Sequence, residues 1–463
     1  MSLILREVEV AGQAGLDVAV EGGRIVETGP RLARSGADEI DGRGGALIPG
    51  LIDHHIHLFA LAAQATSVDL AGVKDRPALE ARLAGALAAL PAGAWLRATG
   101  YHEAMAGALS RRDLDVLAPQ HPIRIQHQTG SLWMLNSAAL AAIGADDGPD
   151  IVERDHRGRP TGRIWRGDAW LRQRIGGTPP DLAAVGRRLA ACGITGLTDA
   201  SVTTDQAAAD RMAADHRTGA LPQRLMLMSA GPLAAPEDDA IAVGPVKVLL
   251  DDHDLPPIEA FAGWIAAARD QRRAVAVHCV TAAELAVALA AFEAAGTRVG
   301  DRIEHGGVIA PAAIAQLKAL GLAVVTQSAF VRERGDRYAA EVEPRDLPDL
   351  YRCASLIDAG VPVGGSSDAP YASPDPWAGI AAAAERRTRG GLTLGPDERL
   401  SPERALGLYL GAQDAPGGPP RRLEAGAPAD LCLLRAPLRD ALAAPAASLV
   451  AATIVGGKVV YAG

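Results

Sequence analysis

The sequence predicts an α/β protein: a (β/α)8 TIM-type barrel, with a small β-sandwich domain built from both termini and an α/β insertion after the first barrel strand. Three observations predict it. Eight short apolar runs recur through the middle of the chain and, from the second onward, alternate with helical or loop segments. Both ends are rich in β-forming residues and Gly-Gly turns. Roughly 130 residues separate the first apolar run from the second, too many for a simple crossover.

The elements follow in order. Residues 1–48 read as short strands with tight turns, and Val18-Ala19-Val20-Glu21-Gly22-Gly23-Arg24-Ile25-Val26 is a hairpin signal. Residues 429–434 and 452–461 repeat that style, the second around Gly456-Gly457. Each end is too short to bury a core, so 1–48 and 412–463 are expected to form one domain. Residues 49–411 are expected to form the barrel, with strands at 46–57, 193–199, 223–229, 245–250, 274–279, 301–305, 323–328 and 361–368. Segments 258–269, 282–295, 311–320 and 351–359 have helical character. Residues 64–185 are expected to be an inserted α/β subdomain above the barrel mouth.

Composition narrows the class. Hydrophobic residues make up 48% and aromatics 3%, so the core is built from Ala, Val, Leu and Ile. The net charge of −9, from 46 basic and 55 acidic residues, argues against a nucleic-acid partner. No apolar run reaches membrane-spanning length, so no membrane partner is expected. The opening Met1-Ser2-Leu3-Ile4-Leu5-Arg6-Glu7 lacks the basic and apolar regions of a signal peptide. Cys192, Cys279, Cys353 and Cys432 are scattered, which fits reduced thiols in a cytoplasmic protein. No Gly-x-Gly-x-x-Gly opens a βαβ unit, which excludes a dinucleotide-dependent dehydrogenase.

The chemistry-bearing residues sit at strand ends. In Pro49-Gly50-Leu51-Ile52-Asp53-His54-His55-Ile56-His57, His55 and His57 are two apart on a strand and share a face, while His54 points the other way. Val275-Ala276-Val277-His278 and Arg302-Ile303-Glu304-His305 are apolar strands that end in His, and 361–368 ends in Asp368. Any one of these could be a buried hydrogen-bonded group; their convergence at the mouth of a barrel is a metal-site pattern. Lys247 lies inside the apolar run Val246-Lys247-Val248-Leu249-Leu250. A buried ammonium is costly. Two outcomes are open: an ion pair with Asp251 or Asp252, which the residues alone favour, or a neutral amine that takes up carbon dioxide as a carbamate.

These motifs resemble the amidohydrolase superfamily, in particular the branch that holds N-substituted formamide deformylases and related metal-dependent hydrolases. The likeness rests on Pro49–His57, Lys247, the two strand-end His and Ser367-Asp368-Ala369-Pro370. It rests also on Asn136-Ser137-Ala138-Ala139-Leu140, on Gly158-Arg159-Pro160-Thr161-Gly162 and on Leu423–Leu431. The resemblance implies two divalent metal ions, with zinc the best match to the ligand types. His55 and His57 would hold one ion and His278 and His305 the other. Lys247 would bridge as a carbamate. Asp368 would bind the first ion and act as general base, with His305 or His278 able to help stabilise an oxyanion. Glu304, Asp301 and Ser367 lie close enough in sequence to orient the imidazoles, although strand alternation points them away.

The implied activity is hydrolysis of a non-peptide C–N bond in a small molecule. An esterase, lactonase or deaminase on the same site, and a catalytically silent binding protein, are the alternatives. The chain departs from the branch at Ser131, at Arg163-Ile164-Trp165-Arg166 and at Asp251-Asp252-His253. Phe59, Tyr101, His102, Trp133, Trp165, Phe330, Arg332 and Tyr371 are candidate substrate contacts, chosen because they follow barrel strands or lie in the insertion. The resemblance also allows a homodimer.

Overall fold

Gly22-Gly23 and Gly456-Gly457 all have positive φ, the backbone that a two-residue hairpin turn demands. They close hairpins in two separate four-stranded sheets. One sheet holds Ser2–Val10, Gln13–Glu21, Arg24–Gly29 and Asp38–Asp41; the other holds Leu47–Pro49, Leu431–Leu434, Val450–Val455 and Lys458–Ala462. Leu3, Leu5, Val18, Val20 and Ile25 of the first pack against Leu47, Leu431, Leu433 and Ile454 of the second. Burying each such aliphatic side chain contributes roughly 1.5–3 kcal/mol, and neither terminus alone has a second layer to bury against. The expected sandwich of both chain ends is therefore present.

The computed structural model describes residues 2–176 and 179–463. It divides into two compact units: Met1–Leu58 with Leu182–Gly463, and Phe59–Asp181. The first contains the sandwich and an eight-stranded sheet. The strands are β1 (Leu51–Ile56), β2 (Ile194–Asp199), β3 (Arg224–Ser229), β4 (Ile241–Leu249), β5 (Val275–Cys279), β6 (Arg302–His305), β7 (Ala323–Thr326) and β8 (Val363–Gly365). Every sequential pair is parallel. Parallel strands covered on both faces read as unbroken apolar runs, and β2 and β6 are buried along their whole length. The sheet returns on itself at the mouth: Asp368 N donates to His55 O at 2.8 Å and His57 N to Ala369 O at 2.8 Å.

Two strands differ from expectation. β4 begins at Ile241 and runs through Gly244-Pro245, where its register with β3 slips. A bulge tolerates a proline because no ladder hydrogen bond is lost there. β8 pairs over only three residues. Pro362 cannot donate to the ladder, and at Asp368 φ is +53°, which turns the chain out of the strand.

The crossover helices include Ile258–Asp270 and Ala282–Ala295, the latter opened by a capping box between Thr281 and Glu284. Two further crossovers, Gln206–Arg217 and Ala329–Glu341, are helical although their sequences are largely polar. Among the described residues no helix is long and apolar enough to cross a membrane. All four cysteines are free and buried.

The second unit is a six-stranded mixed sheet in the order Val152–Arg154, Pro160–Trp165, Leu132–Leu135, Ile123–His127, Leu96–Tyr101, Val68–Asp69. Leu79 and Leu83 of helix Arg76–Ala88 join a core with Leu96, Ala98, Tyr101 and Ile123.

Candidate metal centre

His55 lies near the end of β1, and His57 follows it directly. Their ring centroids are 5.2 Å apart. His305 ends β6, with its ring 4.8 Å from His55 and 4.4 Å from His278 of β5. Asp368, beyond β8, places Oδ1 3.4 Å from His55 Nε2 and 3.1 Å from His57 Nε2. His55, His57 and Asp368 thus offer three ligand atoms within one ion's reach.

Two of these residues hold uncommon backbone. His305 has φ of +69° and Asp368 of +53°. Such conformations cost on the order of 1–3 kcal/mol each and cluster at functional sites. At His305 the turn has a structural consequence: it breaks strand alternation, so both Glu304 and His305 reach other site residues. Gly306-Gly307 must follow, because a Cβ at Gly307 would lie 2.4 Å from Val280 O.

The partners of the imidazoles set their tautomers. Glu304, fully buried, accepts Arg302 Nε at 2.6 Å on one oxygen and His55 Nδ1 on the other. His305 Nδ1 meets Gln327 Oε1 at 2.9 Å, and Gln327 Nε2 donates to Ser366 Oγ at 2.9 Å. An acceptor facing Nδ1 puts the ring proton there and leaves the Nε2 lone pair for a cation. His57 Nδ1 lies 3.1 Å from Ser201 Oγ, a hydroxyl able to donate or accept. Burial keeps the rings neutral: it lowers the His55 pKa to about 3 and draws His278 and His305 down as well.

This arrangement fits a cation. Asp368 Oδ1 is buried without a hydrogen-bond partner. The His55 lone pair and this anionic oxygen face each other at 3.4 Å, which is repulsive unless a positive ion lies among them. Lys247, 3% exposed, also has no hydrogen bond at Nζ and no ion pair among the described residues. The expected pair with Asp251 or Asp252 does not form; Asp252 instead accepts from Thr281 Oγ1 at 2.9 Å. Burial lowers the Lys247 pKa, against the pull of Glu304.

Of the residues expected to orient the site, Glu304 does so. Asp301 is taken by Arg269 and by Val275 N. Ser367 Oγ donates to Asp53 Oδ2 at 2.5 Å, which pins the chain beyond β8 to β1. Gln327, Arg302 and Ser201 were not singled out by sequence, because their contacts join strands distant along the chain. His54 is fully buried with both ring nitrogens unpartnered, away from the cluster.

The substrate candidates fall in both units. Tyr371 meets the His57 ring edge-on at 5.7 Å, and its carbonyl accepts Arg334 at 2.6 Å. Phe330 is buried beneath Arg334, 4.1 Å away, and Arg332 pairs with Glu385 at 3.0 Å. In the second unit, Tyr101 is buried and its hydroxyl donates to Gly107 O at 2.5 Å. Trp133 donates to Asp168 at 3.0 Å, and the half-exposed Trp165 donates to Glu153 at 3.2 Å. His102, Glu103 and His127 form a second cluster of ligand-type groups. There, however, His102 Nδ1 accepts from Ala104 N at 3.1 Å and caps a helix turn. His127 Nδ1 accepts from Thr129 N, and its Nε2 meets Glu103 at 2.9 Å. Both rings therefore carry their proton on Nε2, the opposite tautomer from His55.

Comparison with known proteins bears on the family and the fold. The sequence profile described as "Amidohydrolase family" matches residues 38–461. The N-substituted formamide deformylase of Arthrobacter pascens is 25% identical over 93% of this chain and 92% of that protein. A metal-dependent hydrolase of Pyrococcus horikoshii OT3 superposes with a TM-score of 0.75 at 20% identity, over 94% of this chain and 97% of that one. The zinc-complexed atrazine chlorohydrolase of Arthrobacter aurescens TC1 gives 0.57 at 16% identity, over 99% and 94%.

Proposed function

The chain belongs to the amidohydrolase family, and from that premise we propose that it hydrolyses the C–N bond of a small formamide, amide or cyclic amide at a centre of divalent metal, zinc being the best-suited ion. The observation that carries the reading is the convergence of His55 Nε2 and His57 Nε2 on Asp368 Oδ1, a buried carboxylate oxygen without a hydrogen-bond partner. His55, His57 and Asp368 would hold one ion, and His278 and His305 a second. Lys247 would join them as a carbamate: its neutral Nζ forms a bond to the carbon of carbon dioxide and loses one proton. The similarity to a formamide deformylase supports the choice of bond.

A divalent ion bound here lowers the pKa of water toward neutrality and polarises a carbonyl oxygen. The chain's residues do the rest. Asp368, ionised at neutral pH, receives the proton released as water attacks, and returns it to the leaving nitrogen. Glu304 and Gln327 keep His55 and His305 in the ligating tautomer. Tyr371, set against His57, bounds the space beside it.

The test is turnover of the zinc-loaded protein on N-formyl amines, N-acyl amines, cyclic amides, lactones and aminopurines, before and after chelation. Hydrolysis of an amide-type substrate that is lost on chelation and restored by zinc is expected. Turnover confined to lactones or aminopurines, or indifferent to chelator, would overturn the proposal.

A further inference from the structure

At the opposite end of the barrel from the candidate centre lies a cavity of ≈ 240 Å³. The strand starts form its walls: Met226 of β3, Val243 and Gly244 of β4, Ala274 before β5 and Arg302 at the head of β6. Four arginines line it, Arg272, Arg273, Arg298 and Arg302, with Asp414 the one acid among the lining residues. The chain as a whole carries a net charge of −9, so this local excess is opposite in sign to the protein.

Among the described residues, only Arg302 of the four has a carboxylate partner, Glu304. Arg273 is 8% exposed and gives its donors only to carbonyl oxygens, those of Gly244, Gly231, Ser229 and Pro245. Carbonyls satisfy its hydrogens but not its charge, and a buried charge without a counter-ion is costly. Arg272 and Arg298 are exposed and form no ion pair among the described residues. Arg302 uses Nε on Glu304 and Nη2 on His54 O, which leaves Nη1 as its unused donor. Arg302 thus lines the cavity and also holds Glu304, the partner of His55.

We propose that this cavity is a binding site for a small oxyanion, a phosphate group or a carboxylate cluster. Guanidinium groups match such oxygens in charge and in fork geometry. The volume falls below the roughly 300–1,000 Å³ of drug-sized pockets, so it suits a free ion or a short phosphorylated metabolite and not a nucleotide. The site is separate from the candidate metal centre.

Calorimetric titration of the metal-loaded protein with inorganic phosphate, glycerol phosphate and citrate tests this, at ionic strength held constant with chloride. The comparison is the double variant Arg272→Ala/Arg298→Ala, which removes two exposed side chains, with its urea midpoint measured beside the parent's as the check on folding. Saturable binding in the parent that weakens at least about tenfold in the double variant is expected, with the tightest of the three probes identifying the anion type. Absence of saturable binding of all three would overturn the proposal. So would binding unchanged in the double variant, because that places the anion elsewhere, for example at the metal.

Discussion

Glu304→Gln separates charge from shape at the candidate centre. The carboxylate accepts Arg302 Nε at 2.6 Å and His55 Nδ1 within a fully buried pocket. Glutamine keeps the size but supplies one acceptor and one donor. If its oxygen stays with Arg302, its amide hydrogens face His55 Nδ1. The ring must then move its proton to Nε2, and the lone pair aimed at Asp368 is lost. If its oxygen turns to His55, the amide meets the Arg302 donor instead. Either way the buried Arg302 charge loses its anion, which costs roughly 3–5 kcal/mol. Loss of an orienting partner typically lowers metal affinity 10- to 100-fold. Urea unfolding measures the first effect, and competition with a chromophoric chelator the second. The discriminating control is Gln327→Glu, which keeps an acceptor on His305 Nδ1 and is expected to retain metal within a few-fold. Metal affinity in Glu304→Gln within twofold of the parent would refute the tautomer argument, whatever happened to stability.

Other predictions follow from single features. Asp368→Asn keeps the fold and is expected to cut turnover by about 10²–10⁴; near-normal kcat would remove its role as base. At His305, φ of +69° makes His305→Gly more stable than His305→Ala by about 1–2 kcal/mol, read by urea midpoint; equal midpoints would mean the turn relaxes without strain. Burial raises the Asp17 carboxyl, but hydrogen bonds from Arg6, Glu7 N and Leu32 N outweigh it and leave the pKa depressed. A depressed folded pKa contributes stability above the unfolded value of about 3.9 that is lost as pH falls. Asp17→Asn should therefore be less stable at neutral pH and lose less between about pH 5 and 2; parallel pH–stability curves would count against it. Thr281→Ala removes the capping box of Ala282–Ala295 and is expected to cost about 1 kcal/mol in thermal unfolding.

The barrel was legible because buried parallel strands must be apolar along their length, and His55, His57, His278, His305 and Asp368 stood out as polar residues at the ends of such runs. The polar helices Gln206–Arg217 and Ala329–Glu341 escaped notice because each buries few residues: Ala209, Met212 and Ala213 in one, and Ala329, Phe330, Val331 and Gly335 in the other. Too narrow a stripe leaves little periodic signal. The partners of the imidazoles were hidden for another reason. Glu304 and His55 lie 249 residues apart, so only the order of strands brings them together. Alternation argued against Glu304, and the positive φ of His305, which has no sequence signature in a non-glycine residue, is what defeats that argument.

The two histidine clusters show where residue type stops being informative. His55, His57 and Asp368 on one side, and His102, Glu103 and His127 on the other, have the same donor chemistry, and each set lies within reach of one ion. What separates them is the partner of Nδ1. At His55 it is a carboxylate, which takes the ring proton and leaves Nε2 bare. At His102 it is a backbone N–H; at His127 it is a backbone N–H together with Thr129 Oγ1, and the Glu103 carboxylate takes the ring proton at Nε2. For a cation to bind at those Nε2 atoms, each ring would have to turn an N–H against another N–H, giving up its helix or turn contact. Zinc titration of His102→Ala/His127→Ala should accordingly show the same metal stoichiometry as the parent, whereas His55→Ala should lose metal. A parent stoichiometry that falls in the double variant would show that the tautomer rule does not decide between the clusters.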